Sequence, residues 1–253
     1  MKQKLYFLSV IGQFLVFLFT ANTAQAANSQ FLSSANVVFS INNIINLTNP
    51  GFVSEDELAI VSFFEQDSNS TAFLSGDAVI SAENSPISGE SMSLLPGSIF
   101  SKTFSVNAGV NNGAVDSNHL GYFGLALINS PESLDEYQID FELSYSLSSY
   151  ANGQYADTGV TIEYFSEEDN LFYGSDYITH SSIFGTPGIS ANNTSSFSIV
   201  LTPGSAAFYL ADVVITGNLT AAPVPLPAAA WLFLSGLFGV PVTGKFKKKI
   251  GNC

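Results

Sequence analysis

The sequence predicts an all-β protein, built as a single antiparallel β-sandwich of jelly-roll type between a signal peptide and a C-terminal transmembrane helix. Three observations favour the sandwich. Apolar and polar residues alternate with a period of two, turn signals separate the alternating segments, and no window between the two termini carries the 3.6-residue apolar stripe of a helix. This alternation is typical of antiparallel strands that have one buried face and one wet face.

The clearest strand runs from Tyr137 to Leu147, where six apolar side chains alternate with polar ones. The same period recurs over 160–164 and 197–201. Seven further candidates are 37–41, 58–64, 78–81, 99–106, 122–128, 171–179 and 208–215. Turn signals lie between them at Asn49-Pro50-Gly51, Ser75-Gly76-Asp77, Asn111-Asn112-Gly113, Asn152-Gly153 and Pro203-Gly204. Ten short strands at this spacing predict a β-sandwich domain over 27–221.

The N-terminus, residues 1–26, has the three parts of a secretory signal peptide. Lys2 and Lys4 precede an apolar segment over 5–19, and small residues follow it. A permanent transmembrane helix is the alternative, but the apolar segment is short and its exit is polar and small. We therefore expect cleavage after Ala26 by the secretion machinery. The residues of this cleavage site are Ala24, Ala26 and Ala27.

The C-terminus, residues 222–253, passes through three physical regimes. A proline-rich strip over 224–228 favours extended, accessible backbone. An uncharged apolar span over 228–242 follows, and a basic tail over 245–249 ends the pattern, as the positive-inside rule expects of a cytoplasmic anchor. The strip consists of Val224, Pro225, Leu226, Pro227 and Ala228, and the basic residues are Lys245, Lys247, Lys248 and Lys249.

This order of motif, span and basic tail resembles the PEP-CTERM family of bacterial sorting signals, in particular its variant named for Val-Pro-Leu-Pro-Ala. The resemblance covers about an eighth of the chain. It implies that an exosortase-type membrane protease processes the tail while the protein passes through the inner membrane to the cell surface. Two features depart from the family pattern: the tail contains lysine where arginine is usual, and Pro241 interrupts the end of the span.

The apolar span is short for a permanent anchor. Its fifteen residues make a helix of roughly 22 Å at about 1.5 Å per residue, against a bilayer core about 30 Å thick. An ordinary tail anchor and a buried helix remain alternatives. The absence of any amphipathic pattern argues against the buried helix.

Charge separates the body of the chain from its two ends. Of seven Lys and Arg residues, only Lys102 lies between Ala27 and Ala222, whereas all 21 acidic residues lie there, so the net charge of this body is 1 − 21 = −20. Nucleic-acid binding depends on Lys and Arg, and a body this acidic excludes it. The single cysteine, Cys253, excludes an intramolecular disulfide.

Catalytic motifs are missing from the sequence. His119 and His180 stand 61 residues apart in turn-like contexts and are interpreted as surface histidines. Without a cysteine in the body, thiol catalysis is excluded, and no Gly-x-Ser-x-Gly or phosphate-binding glycine motif is present. We therefore expect no catalytic residues, no resident metal and no enzyme activity.

Carboxylates and aromatic rings leave two alternatives open. Oxygen-rich loops suit calcium, and a close carboxylate pair would suit a polysaccharide-active enzyme, although solvated loop residues are the simpler interpretation. Aromatic residues near turns could stack on sugars, as in a lectin, or pack in the core. The acidic clusters are Glu55-Asp56-Glu57, Asp135-Glu136 and Glu167-Glu168-Asp169 with Asn170, and the rings are Tyr150, Tyr155, Phe172, Tyr173 and Tyr177.

The leading hypothesis is a non-enzymatic exported protein, sorted by its tail to the cell surface or to an extracellular polysaccharide matrix. A carbohydrate-binding sandwich, with or without calcium as cofactor, is the second hypothesis. An enzyme acting on polysaccharide is the third. The sequence itself does not assign a physiological role to the sandwich.

Overall fold

The computed structural model describes residues 28–54, 56–66, 70–84, 96–167, 171–185 and 188–222. These residues belong to one compact unit, Asn28–Ala222. The predicted signal peptide lies outside the described residues, and so does the predicted sorting signal apart from Ala222. Within the described ranges, no helix is long and apolar enough to cross a lipid bilayer.

The all-β prediction is confirmed. Eleven strands are described, and the helical element among them is one turn of 3₁₀ helix, Ser182–Phe184. Each of the ten strand candidates overlaps an observed strand, and the strand they omit is β3. The strands are β1 (Ser29–Asn46), β2 (Leu58–Gln66), β3 (Thr71–Gly76), β4 (Val79–Asn84), β5 (Ile99–Val110), β6 (Gly113–Asn129), β7 (Tyr137–Asn152), β8 (Tyr155–Ser166), β9 (Leu171–Ser181), β10 (Ile189–Leu201) and β11 (Ala206–Ala221).

The strands form two antiparallel sheets, as the sandwich prediction requires. The five-stranded sheet has the order β10-β7-β1-β5-β4. The six-stranded sheet has the order β2-β6-β11-β8-β9, and β3 also pairs with β6. β2 and β3 therefore follow one another along the same edge of β6. Between them, the Ser70 hydroxyl donates to the Leu120 carbonyl (3.2 Å) and accepts from the Leu120 amide (3.0 Å).

The core lies between the two sheets and is rich in aromatic side chains. Strand β7 alternates buried and less buried residues along its whole length, which confirms the period-two pattern that predicted it. Phe39 packs on Phe123 (ring centroids 5.5 Å apart), and Phe141 meets Tyr209 edge-on at 4.5 Å. Aromatic burial of this kind dominates core energetics because each ring removes a large apolar area from water.

Lys102 lies inside the sandwich. It is buried, and its Nζ sits 3.7 Å from the centroid of the Phe64 ring, an arrangement typical of a cation–π contact. Burial lowers the pKa of Lys102. It is the only Lys or Arg among the residues that the structure describes.

The connections between strands gather at two ends of the sandwich. The chain enters at Asn28 and leaves at Ala222 at one end, which we call the terminal end. The connections β3–β4, β5–β6 and β7–β8 lie there too. At the opposite end, which we call the far end, lie the connections β1–β2, β6–β7 and β10–β11. All described strands and the whole buried core lie within 28–222, so this segment has the parts of an independently folding domain.

Candidate functional site

The predicted sorting and cleavage residues lie outside the described residues. The part of the structure that bears on them is the terminal end, where β11 delivers the chain to the proline-rich strip. Ala221 is buried as the last residue of β11, whereas Ala222 is exposed. Ala221 is therefore the last buried residue of the described sandwich. The residues concerned are Ala24, Ala26, Ala27, Val224, Pro225, Leu226, Pro227, Ala228, Lys245, Lys247, Lys248 and Lys249.

Hydrogen bonds join the start and the end of the domain. The Ser29 hydroxyl donates to the Thr220 carbonyl (3.0 Å) and accepts from the amides of Gln154 (3.0 Å) and Tyr155 (3.3 Å). The Ala222 amide donates to Oε1 of Gln154 (2.8 Å). One hydroxyl and one amide side chain thus tie β1, the β7–β8 turn and β11 together. Local sequence patterns do not reveal these roles, because the partners are distant in the chain.

Two sheet-crossing turns pack against each other beside this junction. Gly76 and Gly113 both have positive φ angles, +69° and +142°. A Cβ on Gly76 would lie 1.8 Å from the Asn112 carbonyl oxygen, so only glycine fits. The Asp77 carboxylate accepts the amides of Asn112 (2.8 Å) and Asn111 (3.0 Å). Those two bonds lower the pKa of Asp77.

A buried hydroxyl cluster lies between the sheets towards the terminal end. The hydroxyls of Ser33 and Thr158 are 2.7 Å apart, and Ser33 also donates to the Ser149 hydroxyl (3.2 Å). Thr158 donates to the Thr216 carbonyl (2.7 Å). The cluster links the two sheets by polar contacts inside an otherwise apolar core, and each hydroxyl has a partner, as burial requires.

The prediction of two surface histidines is wrong for His180, which is buried, and His119 is only partly exposed. His180 is only 5 % exposed, and its Nε2 has no hydrogen-bond partner. His119 is partly buried on β6, and both of its ring nitrogens lack partners. Burial lowers the pKa of His119. The pairing of β6 and β9 into the sheet buries these side chains despite their polar neighbours in sequence.

His119 lines a small cavity with Phe104, Val106 and Ile215. The cavity measures about 20 Å³, room for a single water molecule. Since no described side chain bonds to either nitrogen of His119, the structure provides no carboxylate to orient the ring as a general base. Across the described ranges, no group of three or more His, Cys, Asp or Glu residues is placed to hold a metal ion.

Two of the predicted acidic clusters meet at the far end. Oε2 of Glu57 accepts hydrogen bonds from the hydroxyls of Ser133 (2.9 Å) and Tyr137 (3.1 Å). Oδ2 of Asp135 accepts a hydrogen bond from Nδ2 of Asn46 (2.6 Å). Burial, and then the bond to Glu57, raise the pKa of Tyr137. These carboxylates act as hydrogen-bond acceptors that tie loops together. Glu55, Glu168, Asp169 and Asn170 lie outside the described residues.

A further row of carboxylates, which the sequence analysis did not single out, crosses the outer face of the six-stranded sheet. Glu163 stands directly opposite Asp212, and Asp212 stands opposite Tyr122 on the next strand. The Tyr122 hydroxyl donates to Glu65. That bond, together with burial and neighbouring negative charge, raises the pKa of Tyr122 to about 12. Only the strand register brings these residues together.

The five aromatic candidates divide between packing and exposure. Tyr173 is packed, since its ring meets Phe197 at 4.9 Å and stacks near Tyr209 at 6.0 Å. Phe172 and Tyr177 are 57 % and 70 % exposed on β9. Tyr150 is half-buried on β7, whereas Tyr155 is exposed, and its hydroxyl donates a hydrogen bond to Asp157 (2.7 Å).

Comparisons with known proteins do not identify a family. No protein-family model matches the chain, and no curated protein matches it. A search of solved structures returns the secreted serine protease VesC from Vibrio cholerae, at 8 % identity and a TM-score of 0.12. That alignment covers 79 % of this chain and spans about half, 48 %, of the protease. A likeness this low carries no argument about fold or activity.

Proposed function

We propose that this chain is an exported, non-enzymatic protein that its C-terminal signal sorts to the cell surface or to an extracellular polysaccharide matrix. The N-terminal segment 1–26 directs export. The span over 228–242 holds the protein in the inner membrane for a time, with its lysines inside. An exosortase-type protease then acts on the strip Val224–Ala228. In this proposal the strip is the substrate of the protease, and the sandwich is the domain that is delivered to the cell surface.

The observation that carries the proposal is the uninterrupted order of strip, apolar span and lysine tail at the end of an exported chain. The terminal end supports it. Ala222 is exposed directly after the last buried residue of β11, so the described core ends at Ala221, before the strip begins. A protease working at the strip would therefore not need to unfold the domain.

The proposal is tested on protein recovered from the surface of the producing cells. Intact mass should correspond to a chain that begins at Ala27 and lacks the lysine tail. Changing both Pro225 and Pro227 to Ala should leave the tail in place and shift the protein to the membrane fraction. As a matched control, Pro203→Ala makes the same change in the β10–β11 turn and should leave processing intact. A surface-released protein that still contains 245–253 would contradict processing.

We also propose that the sandwich is a jelly roll whose first strand closes the roll. The pairings support this, because antiparallel pairs nest around the β8–β9 hairpin: β7 with β10, then β6 with β11, then β5 with β1. Jelly rolls arise when eight such strands fold over into two sheets. Here β1 takes the place of a strand after β11, which accounts for the shared position of Asn28 and Ala222.

Carbohydrate binding, with or without calcium, is a second candidate that one observation favours. Phe172 and Tyr177 are large exposed rings on β9, and the register places Tyr177 across from Thr161, two residues from Glu163. A ring beside hydrogen-bonding groups on a flat sheet face is a surface on which a sugar could stack. The matrix polysaccharide would then be both the destination and the ligand.

A glycan array on the domain 28–222, with and without calcium, tests this second candidate. Tyr177→Ala should weaken any binding roughly tenfold, because an aromatic contact contributes up to about 1.5 kcal/mol. Phe73→Ala is the matched control, since Phe73 is equally exposed (70 %) at the opposite edge of the same sheet. This function would be excluded if no glycan bound in either condition, or if the two variants lost binding equally.

A further inference from the structure

A short turn at the terminal end holds two large apolar side chains in water. Ile183 and Phe184 belong to the 3₁₀ turn after β9 and are 71 % and 76 % exposed. The Ser181 hydroxyl accepts a hydrogen bond from the Ile183 amide (3.4 Å). The Ser182 hydroxyl accepts one from the Ala156 amide of β8 (2.9 Å). An ordered turn therefore presents this apolar pair, and neighbouring exposed apolar side chains are typical of an interaction surface.

A further exposed apolar residue lies on the other side of β11, the strand by which the chain leaves the sandwich. The strand register aligns Leu74 of β3, Leu219 of β11 and Ala156 of β8 in one row across the terminal end. Leu74 is 49 % exposed. Because β3 and β9 are each two strands away from β11, one on either side, Leu74 and the 3₁₀ turn lie about 10 Å to either side of β11. The two apolar sites therefore flank the end of the described chain at Ala222.

Negative charge is concentrated at the opposite end of the sandwich. Among the described residues of the strand connections, those of the terminal end contain one carboxylate, Asp77, whereas those of the far end contain six. Two strand carboxylates, Asp116 and Asp157, also lie near the terminal end, where both pair with Asn218. Since phospholipid headgroups carry phosphate, a lipid surface repels the far end most strongly and can be approached by the terminal end. The six carboxylates of the far end are Asp56, Glu57, Glu132, Asp135, Glu136 and Glu167.

We propose that the terminal end lies on a lipid bilayer, with Ile183 and Phe184 at the headgroup boundary on one side of β11 and Leu74 on the other. This inference rests on the proposed function, which assigns a membrane span to 228–242. In the sequence, only residues 223–227 separate Ala222 from that span, and a fully extended chain of this length reaches about 20 Å at most. The bilayer is therefore the partner that the chain itself brings to this end. The contact would keep the strip at the membrane surface, where the proposed protease acts.

Tryptophan fluorescence of the mature chain 27–253 in phosphatidylcholine vesicles tests the contact. Trp231 is the only tryptophan of the sequence, and Trp231→Phe keeps the span apolar, so each added tryptophan can be followed alone. Phe184→Trp should emit at shorter wavelength in the vesicles than in the isolated domain 28–222, and lipid brominated near the top of its acyl chains should quench it. Leu74→Trp should respond in the same way. Both positions are exposed, so the variants should keep the circular dichroism spectrum of the fold.

The matched control is Leu134→Trp at the far end. Leu134 is 87 % exposed, and a tryptophan there should stay unquenched. Flotation of the vesicles separates this inference from the proposed function: a chain that does not float has no inserted span, which overturns both. A chain that floats while F184W stays unquenched overturns the lipid contact alone, and so does equal quenching of F184W and L134W. Quenching of F184W without quenching of L74W would overturn the contact on the β3 side.

Discussion

The two ends of the sandwich differ in how closely the backbones of their turns approach each other. At the terminal end, backbone packs on backbone: Cβ atoms on Gly76, Gly113 and Gly153 would fall 1.8, 2.0 and 2.2 Å from backbone carbonyl oxygens. At the far end, Gly51 and Gly97 also have positive φ angles, yet no atom of the described residues lies within 4 Å of a Cβ placed there. Glycine therefore meets a steric requirement at these three turns of the terminal end and only a conformational one at Gly51 and Gly97, as it does at Gly185 after β9.

Side-chain hydrogen bonds join the loops of the far end, as those of Ser29, Gln154 and Asp77 do at the terminal end. Glu57 and Asp135 accept bonds from neighbouring loops, and Asn129, which is 1 % exposed, donates Nδ2 to the carbonyls of Asp135 (2.8 Å) and Leu201 (3.2 Å). Such bonds adapt to small shifts, because side chains can rotate whereas crossed backbones cannot. The terminal end, where backbones of neighbouring turns lie close together, is also the end at which the described chain leaves the sandwich, at Ala222.

The largest loss of stability should come from adding one methyl group at the terminal end. Gly76→Ala has to tolerate both a positive φ, which costs about 1 kcal/mol or more, and a clash with the Asn112 carbonyl. Together these should lower the free energy of unfolding by about 3–5 kcal/mol. Urea unfolding of the domain 28–222 measures the change.

Gly97→Ala is the matched variant at the far end. It has a similar conformational cost, since φ is +90°, but meets open space. We expect a loss of about 1 kcal/mol. Equal losses at Gly76 and Gly97 would mean that the crossed turns can separate at little cost, and the contrast between the ends would then be wrong.

Local alternation predicted the strands well where one face is buried and poorly where neither is. All six residues of β3 are exposed, so they carry no period-two signal, and the sequence analysis missed this strand. In β10 only 197–201 was predicted, because the preceding Ser, Asn and Thr residues are polar on both faces of an edge strand. Strand β7 has neighbours on both sides, and its alternation is complete.

Contacts between distant residues could not be predicted from local patterns. Glu57 and Tyr137 are 80 residues apart and share a hydrogen bond, and the burial of His180 follows from the position of β9 beside β8. The tail is the opposite case. Val224–Ala228 and its lysines are contiguous in the chain, so the sequence alone suffices to predict a sorting signal, and this prediction awaits the processing experiment.

The smallest effects should appear in the pH dependence of stability, where Asp77 at the terminal end and Tyr137 at the far end should contribute at opposite extremes of pH. At the terminal end, the pKa of Asp77 lies below its ordinary value of 3.8 because its carboxylate accepts the amides of Asn112 and Asn111. The stabilisation from Asp77 is therefore present above pH 3.8 and lost as pH falls through the folded-state pKa. Asp77→Asn keeps an acceptor for the amides and should weaken the loss of stability at acid pH, only in part because hydrogen bonds from Ser198 and Gln138 also lower the pKa of Asp140.

At the far end, the stabilisation by Tyr137 depends on pH in the opposite direction. The pKa of Tyr137 lies above its ordinary value of 10.0, because burial and the bond to Glu57 favour the neutral phenol. Its contribution is present below pH 10 and lost as pH rises through the folded-state pKa. Tyr137→Phe should flatten the alkaline limb, only in part because the pKa values of Tyr122, Tyr145 and Tyr155 are also raised. Melting temperatures of both variants from pH 2 to about pH 12 measure the two limbs. If the Asp77 variant changed the melting temperature at alkaline pH, or the Tyr137 variant changed it at acid pH, the two residues would not titrate separately.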